Sequence, residues 1–219
     1  MKDGRIKTGK GDGMFARITW LGHASVMLSQ DALTVYIDPW KLSDTLPKAD
    51  LILVTHDHYD HFSVPDIERL RQARTRIIAP FDHPLVTDRM GVSETLTVGD
   101  ILITTVPAYN ISKQFHPRVN NWVGYIVVMA DKRIYHPGDT DRIPEMRDIA
   151  ADVALLPVGG TYTMDASEAC QAALDIGPRY VIPIHYGDIV GGKQDALALR
   201  DGCAVSVEIL DPGGTLTME

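Results

Sequence analysis

The sequence Thr55-His56-Asp57-His58-Tyr59-Asp60-His61 directly follows the apolar run Leu51–Val54, which is typical of a buried strand. It places three histidines and two aspartates within six residues. Imidazole nitrogens and carboxylate oxygens are ligands of zinc, manganese and iron(II). In an extended segment residues i and i+2 point to the same side, so His56 and His58 can hold one ion. The two ligand-type residues at the end of the stretch follow a turn and can reach a second ion.

Two other predicted strands also end in ligand-type residues. The strand predicted over 132–135 is followed by Gly138-Asp139-Thr140, and the strand predicted over 180–184 is followed by His185. Ligands at the ends of adjacent strands converge on one rim of a sheet, where a rigid scaffold holds them. We therefore expect a single cluster that contains His56, His58, Asp60, His61, Asp139 and His185. The alternative, a solvated polar loop with incidental histidines, does not account for the three matching positions.

Other polar residues leave two interpretations open. The long polar loop that begins at Pro107 contains Lys113, His116 and Arg118, which either contact an anionic group of a substrate or are solvated. His23 interrupts an early strand, where it either faces a pocket or simply fills a bend.

Composition restricts the function. The 219 residues are 45% hydrophobic and 23% charged, which is ordinary for one globular domain with a large core. The net charge of −8 argues against a nucleic-acid surface and leaves a small-molecule substrate as the expected partner. No apolar run is long enough to span a membrane, and no signal peptide is recognised, so a cytoplasmic location is expected. Cys170 and Cys203 are expected to be two buried thiols.

The chain alternates strands, a helix and strands in each half, which predicts two sheets packed face to face with helices outside. Residues 1–13 are predicted to be a disordered tail or an upstream extension, and residues 14–219 a single domain. Helices are predicted over 64–73, 143–149, 165–176 and 194–201, and the last strands over 205–210 and 215–218.

The motifs His56-x-His58-x-Asp60-His61, Gly138-Asp139-Thr140 and the strand-end His185 resemble those of the metallo-β-lactamase superfamily. Within it, residues 20–25 (WLGHAS) and 37–40 (IDPW) resemble the branch of ascorbate-6-phosphate lactonase and N-acylphosphatidylethanolamine phospholipase D. The likeness covers nearly all of residues 16–219. It implies an α/β fold: a four-layer αβ/βα sandwich of two mixed β-sheets packed face to face, with helices outside.

The resemblance also implies a site for two divalent metal ions, with zinc expected and manganese or iron as alternatives. Its ligand sets would be His56 and His58 for metal 1, and Asp60, His61 and His185 for metal 2, with Asp139 bridging both. One position departs from the family. The family places a further histidine in the loop after the strand that ends at Val106, where this chain has Asn110, and the only histidine of that loop is His116. Either His116 reaches metal 1, or Asn110 or water replaces the ligand; we favour a substrate-side role for His116.

Two ions that share a water lower the pKa of that water toward neutrality, so the expected chemistry is attack of a metal-bridging hydroxide on an ester, lactone or phosphodiester of a small anionic substrate. Asp60 and Asp139 are the candidate catalytic residues, and Asp60 could orient the hydroxide or accept its proton. Asp57 or Asp141 is predicted to fix histidine tautomers. The alternative function is a non-catalytic metal-binding regulatory protein on a degenerate hydrolase fold, for which the missing histidine is the main support. A homo-oligomer is left open.

Overall fold

The computed structural model describes residues 15–218, so the tail predicted over 1–13 lies outside the described part of the chain. The first sheet consists of β1 Ala16–Gly22, β2 Ser25–Gln30, β3 Leu33–Ile37, β4 Leu51–Leu53, β5 Arg76–Ala79, β6 Asp88–Arg89 and β13 Thr215–Met218. The second sheet consists of β7 Thr95–Val98, β8 Ile101–Pro107, β9 Val123–Met129, β10 Lys132–His136, β11 Val153–Pro157 and β12 Tyr180–Ile184.

Both sheets are mixed. The strand order is β13-β1-β2-β3-β4-β5-β6 in the first sheet and β12-β11-β10-β9-β8-β7 in the second. The hairpin strands at one side of each sheet are antiparallel, whereas β3 to β6 and β10 to β12 run parallel. The carboxyl ends of parallel strands lie at one edge of a sheet, which is the usual place for a site in α/β proteins.

The core lies between the sheets. Alternate residues of a strand point to opposite faces, so Val35 and Ile37 of β3 enter the central core while Tyr36 packs on the outer face. The central core joins side chains of both sheets, with Leu28 on one side and Val127 on the other. This arrangement confirms the predicted sandwich.

Three helices cover the outer faces: α1 Val64–Leu70, α2 Ala166–Ile176 and α3 Lys193–Gly202. Helix α1 packs through Ile67 and Leu70 on the outer face of the first sheet, while α2 contacts β11 and α3 contacts β12. The side chain of Asp165 accepts a hydrogen bond from the backbone of Glu168 and so begins α2, as expected for an N-cap aspartate. Gly177 ends α2 in the left-handed conformation, at φ 65°.

Three predicted elements differ from the structure. Helix α1 ends at Leu70 rather than at 73, because Arg71 is extended. The segment predicted as a helix over 143–149 is a 3₁₀ turn, Pro144–Asp148. The strand predicted over 205–210 is absent: this segment makes only one bridge, Val181 to Val207, along the edge of β12. In residues 15–218 no helix combines the length and apolar character needed to cross a membrane.

The prediction of two separate thiols was wrong, because Cys170 and Cys203 form a disulfide. Cys170 lies on α2, and Cys203 directly follows α3. The packing of these two helices brings the two Cα atoms to 5.3 Å, a separation that suits a disulfide. The cysteines are 33 positions apart in the sequence, so local pattern does not reveal this proximity.

Candidate metal centre

A compact set of histidines and aspartates lies where the carboxyl ends of strands from both sheets meet. It contains all six residues expected to cluster, together with His23 from the turn between β1 and β2 and His116 from the loop after β8. Their ligand atoms form three overlapping groups, each within 4.8 Å: His56 with His58 and His116; His23 with Asp60, His61 and His185; and His56 with His61 and Asp139. All but His58 are buried.

The first group consists of three histidines, so all of its candidate ligand atoms are nitrogens. Nε2 of His56 lies 3.1 Å from Nδ1 of His58. Two nitrogens bound to one tetrahedral zinc at 2.0–2.1 Å lie about 3.3 Å apart, so this separation suits a shared ion. His116 completes the group from the opposite loop, with its ring centre 5.1 Å from that of His58.

Thr55 sets the tautomer of His56. Its hydroxyl lies 2.7 Å from Oδ2 of Asp38 and 2.9 Å from Nδ1 of His56. A hydroxyl has one proton to donate, and the carboxylate can only accept. Thr55 therefore donates to Asp38 and accepts from Nδ1–H of His56. This leaves the lone pair on Nε2 of His56, the nitrogen that faces His58.

Asp60 lies in the second group. Its Oδ2 is 2.9 Å from Nε2 of His23 and 3.6 Å from Nε2 of His61. The ring of His23 also lies against that of His185, with centres 4.1 Å apart. The two loops are joined directly, since the backbone N–H of His185 donates to the carbonyl of His23 at 2.8 Å. Both residues have a positive φ, 50° for His23 and 58° for His185, which is uncommon for side chains of this size.

Asp139 lies between the two groups. Its Oδ2 is 3.0 Å from Nε2 of His185 and 3.2 Å from Nε2 of His116, and its Oδ1 is 3.3 Å from Nε2 of His61. One carboxylate thus faces ligand-type nitrogens from three different loops.

The donor set fits divalent metal ions. The Nε2 atoms of His61, His116 and His185, as well as Oδ1 of Asp139, are buried without a properly oriented hydrogen-bond partner. Buried polar atoms are normally satisfied, and leaving one unpaired costs about 1–3 kcal/mol. Four such atoms directed at one small volume are explained by a cation that they would coordinate. Imidazole and carboxylate are the ligands that zinc, manganese and iron(II) share.

The charges of the metal-free centre follow from burial and from neighbouring groups. Burial lowers the pKa of His56 well below its usual value and also lowers that of His58, so both rings are neutral and ready to bind a cation. Burial would raise the pKa of Asp139, but His185 and His61 hold it well below its usual range. Burial would likewise lower the pKa of His61, but Asp139 and Asp38 raise it well above normal.

Asp38 orients His61, a role that the sequence interpretation missed. Nδ1 of His61 donates to Oδ2 of Asp38 at 2.7 Å, which directs Nε2 of His61 toward Asp139. Oδ1 of Asp38 accepts the backbone N–H of Thr55 at 2.8 Å. Asp38 is fully buried and has a φ of 48°. The sequence feature that could have indicated this role is Asp38-Pro39, which directly follows β3. Asp57, predicted to fix a tautomer, is exposed instead.

Asn110 supports His116 rather than replacing it. The Oδ1 of Asn110 accepts the backbone N–H of His116 at 2.9 Å and lies 3.1 Å from its Nδ1. The Nδ2 of Asn110 donates to Oδ1 of Asp141 at 3.0 Å. Asp141 also accepts the backbone N–H groups of Ile111 and Ser112. The predicted tautomer role of Asp141 is therefore indirect, because it acts on Asn110 and the loop backbone.

A cavity of about 260 Å³ opens onto the cluster, and His58, Asp60, His116, Asp139 and His185 form its polar floor. Lys113 and Arg118, for which the sequence left a substrate contact and a solvated position open, do not line it. Lys113 pairs with Asp141 at 2.5 Å, and Arg118 pairs with Glu145 at 2.9 Å.

Comparisons with known proteins agree with the fold and the centre. The profile of the Beta-lactamase superfamily domain matches residues 17–185. A UPF0173 metal-dependent hydrolase of Methanosphaerula palustris is 34% identical over an alignment of 222 positions, which covers 91% of this chain and 99% of that protein.

Two solved structures are also similar. One, described as a metal-dependent hydrolase of Parabacteroides distasonis, is 36% identical, with a TM-score of 0.78 over 89% of this chain and 92% of that one. The metallo hydrolase Igni18 of Ignicoccus hospitalis is 25% identical, with a TM-score of 0.76 over 94% of this chain and 99% of that one. Fold and site together define a metal-dependent hydrolase with the metallo-β-lactamase fold. Within that class, the chain belongs to the UPF0173 metal-dependent hydrolase family.

Proposed function

We propose that this protein binds two divalent metal ions and hydrolyses an ester, lactone or phosphodiester bond in a small molecule. Metal 1 would be held by His56, His58 and His116, and metal 2 by Asp60, His61 and His185, with Asp139 shared between them. This assignment changes the role favoured from sequence for His116, from substrate contact to metal ligand. Zinc is the expected ion, and manganese or iron is the alternative, since nitrogen and oxygen donors suit all three.

The observation that carries the proposal is the position of Asp139. Its Oδ2 lies 3.0 Å from Nε2 of His185, of the metal 2 set, and 3.2 Å from Nε2 of His116, of the metal 1 set, while its Oδ1 lies 3.3 Å from Nε2 of His61, of the metal 2 set. A carboxylate that faces both sets could contact both ions. Its negative charge would offset part of the repulsion between two nearby cations.

Two divalent ions bound here would acidify a water molecule and polarise the bond that it attacks. The protein contributes a proton acceptor in Asp60, whose carboxylate lines the cavity. Burial would raise the pKa of Asp60, but the hydrogen bond from His23 lowers it below its usual value. His23 therefore keeps Asp60 ionised and holds its Oδ2 in place. Burial of the ligand side chains lowers the local dielectric, which strengthens these charge interactions.

The alternative is a metal-binding regulatory protein without catalytic activity. Its main support was the missing histidine of metal 1, and His116 supplies an imidazole at that place from six residues further along the chain. The similarity of residues 20–25 and 37–40 to the lactonase and phospholipase D-like branch further supports hydrolysis.

The test is metal reconstitution followed by a substrate panel. Protein stripped with a chelator is reloaded with zinc, manganese or iron(II), and metal content and turnover of ester, lactone and phosphodiester substrates are measured. We expect two ions per chain and turnover that rises with occupancy. Two bound ions without turnover on any substrate would favour the regulatory alternative, and failure to bind metal would refute the centre itself.

A further inference from the structure

The mouth of the 260 Å³ cavity is aromatic and apolar. Above the polar floor, its walls are formed by Tyr59, Phe115, Tyr162 and Ile189. Three of these side chains are unusually exposed for their type: Tyr59 by 67%, Phe115 by 48% and Ile189 by 36%. Exposed apolar side chains grouped around a cleft, unlike single ones, mark a ligand site.

The aromatic rings are held in place by their neighbours. Phe115 packs edge-on against Tyr162, with ring centres 4.7 Å apart and planes at 89°. Tyr59 packs in the same way on Trp40, at 6.1 Å and 73°. Edge-to-face pairs at these distances are favourable contacts. The rings of Phe115 and Tyr59 are therefore each held by a neighbouring ring, and they present apolar surface to the cavity.

No lysine or arginine lines this cavity in the described part of the chain. Lys113 is bound to Asp141, and Arg118 lies over Tyr109 while it pairs with Glu145. Lys41, beside the neighbouring cavity, pairs with Asp188 at 2.9 Å. Sites that recognise phosphate groups or additional carboxylates normally supply arginine or lysine donors. Here, negative charge on a substrate could be met only at the metal centre.

We propose that the substrate carries an uncharged apolar group, aryl or branched alkyl, directly beside the bond that is cleaved, and no further anionic group. An ester or lactone of an apolar acid fits this description, and a phosphorylated sugar or nucleotide does not. The apolar group contacts Phe115, Tyr162 and Ile189 while the scissile group lies over the polar floor. The cavity volume of about 260 Å³ lies slightly below the range of about 300–1,000 Å³ for ligand pockets and suits one ring or a short branched chain. This inference rests on the proposed function, which it deepens by naming a substrate class.

The test compares three inhibitors that share a metal-binding hydroxamate and differ in the attached group. Acetohydroxamate carries a methyl group, phenylacetohydroxamate an aryl group and succinohydroxamate a second anion. Binding to the zinc-loaded full chain is measured by calorimetry. We expect the aryl compound to bind about tenfold or more tightly than the methyl compound, because its ring moves from water to the apolar side chains at the cavity mouth, which we call the apolar rim. Succinohydroxamate should bind no more tightly than acetohydroxamate. Equal binding of the aryl and methyl compounds, or tightest binding of succinohydroxamate, overturns the proposal.

Variants locate the effect. Phe115→Ala should reduce the ratio of phenylacetohydroxamate affinity to acetohydroxamate affinity about threefold or more. Val119→Ala is the matched control, because Val119 lies in the same loop and is 80% exposed but does not line the cavity. If Phe115→Ala favours phenylacetohydroxamate over acetohydroxamate as strongly as the unchanged chain does, the apolar side chains at the cavity mouth do not select the substrate.

The same samples separate this inference from the proposed function. Protein that binds no metal refutes the metal centre, and the rim is then tested on the metal-free chain by saturation-transfer NMR with phenylacetamide and acetamide. A preference for phenylacetamide that Phe115→Ala removes supports the apolar rim, and its absence overturns it. If zinc-loaded protein binds the aryl compound more tightly but hydrolyses no ester, the apolar rim is supported and only the hydrolytic function is refuted.

Discussion

The side-chain oxygen of Asn110 lies 3.1 Å from Nδ1 of His116 and 2.9 Å from its backbone nitrogen. Because Nδ1–H donates to this amide oxygen, Nε2 is left unprotonated on the side of Asp139. Asn110, where the family has a histidine, is thus placed to orient an imidazole that reaches the centre from further along the loop. Hydrogen-bond partners of this kind fix the orientation of a ligand and tune metal affinity.

Replacement of Asn110 by alanine should weaken metal 1 and leave metal 2 nearly unchanged. The change removes the acceptor that fixes the tautomer of His116 and also frees the loop from Asp141. Loss of such a partner lowers metal affinity by about 10- to 100-fold. Zinc affinity of each site is measured by competition with a chromophoric chelator.

The control for this prediction is Ser112→Ala in the same loop, where the side chain is exposed. That variant should keep both affinities. If Asn110→Ala also binds both ions as tightly as the unchanged chain, the orienting role of Asn110 is wrong.

Substitution of Asp139 by asparagine should weaken both ions. The neutral amide keeps the size of the side chain but removes the charge that lies within 3.3 Å of His61 and 3.2 Å of His116. We expect affinity for each ion to fall at least about tenfold, because two dications would then repel each other without an intervening anion. Metal content is measured by atomic emission after dialysis at fixed free zinc. Loss of a single ion would show that Asp139 belongs to one site only.

Replacement of Asp38 by asparagine should weaken metal 2 directly, and metal 1 to a smaller extent through Thr55, which donates to the same carboxylate and accepts from His56. Asp38 accepts a hydrogen bond from Nδ1–H of His61 at 2.7 Å, and its charge also raises the pKa of that ring. The variant loses the anion that favours this orientation of His61, so zinc affinity at metal 2 should fall about tenfold. The exposed Asp57, changed to asparagine, is the control with the same charge difference. Equal effects of the two substitutions would reduce the role of Asp38 to a general electrostatic one.

The sequence was sufficient to predict that the histidines and aspartate after the strands lie close together, and insufficient for the residues that support them. His56, His61, Asp139 and His185 each follow a strand, so topology alone predicts that they meet. The partnership of Asp38 with His61 crosses 23 residues, and that of Asn110 with Asp141 crosses 31. Such contacts depend on the exact path of loops, which local pattern does not determine. For the same reason, the ion pair of Lys113 with Asp141 was not predicted.

The ion pair between Arg142 and Asp175 should make stability depend on pH. Nε of Arg142 lies 2.6 Å from the carboxylate, and its hydrogen bond lowers the pKa of Asp175. A carboxyl group with a depressed pKa in the folded state stabilises above its unfolded pKa of about 3.9, and that contribution is lost as the pH falls through the folded value. Arg142→Gln should therefore reduce the free energy of unfolding by about 0.5–1 kcal/mol at pH 7. The difference should shrink below about pH 4.

Urea unfolding at several pH values measures this dependence. Arg147→Gln provides the comparison, because its Nε lies 3.6 Å from the other oxygen of Asp175 and should contribute less. A pH-independent difference between Arg142→Gln and the unchanged chain would contradict the ion-pair explanation.

Gly124, on β9, should tolerate no side chain, because the loop that carries Asp139 passes directly over it. A Cβ at this position would lie 2.7 Å from the carbonyl oxygen of Pro137 and 2.9 Å from that of His136. Both contacts are with backbone, so a side-chain rotation cannot relieve them. We expect Gly124→Ala to destabilise the fold by about 1–3 kcal/mol, as overpacking does in other cores. The forced shift of Pro137 should also displace Asp139 and weaken both ions.

Urea unfolding with and without a chelator separates these two effects, because the steric destabilisation persists in metal-free protein, whereas a loss caused only by weaker metal binding does not. Gly202→Ala, at the end of α3, is the matched control, since a Cβ there meets no atom within 4 Å. Its stability should stay within about 0.5 kcal/mol of the unchanged chain. If Gly124→Ala matches this control in stability and metal content, the loop does not need the close approach, and the position of Asp139 is set by its ligand contacts alone.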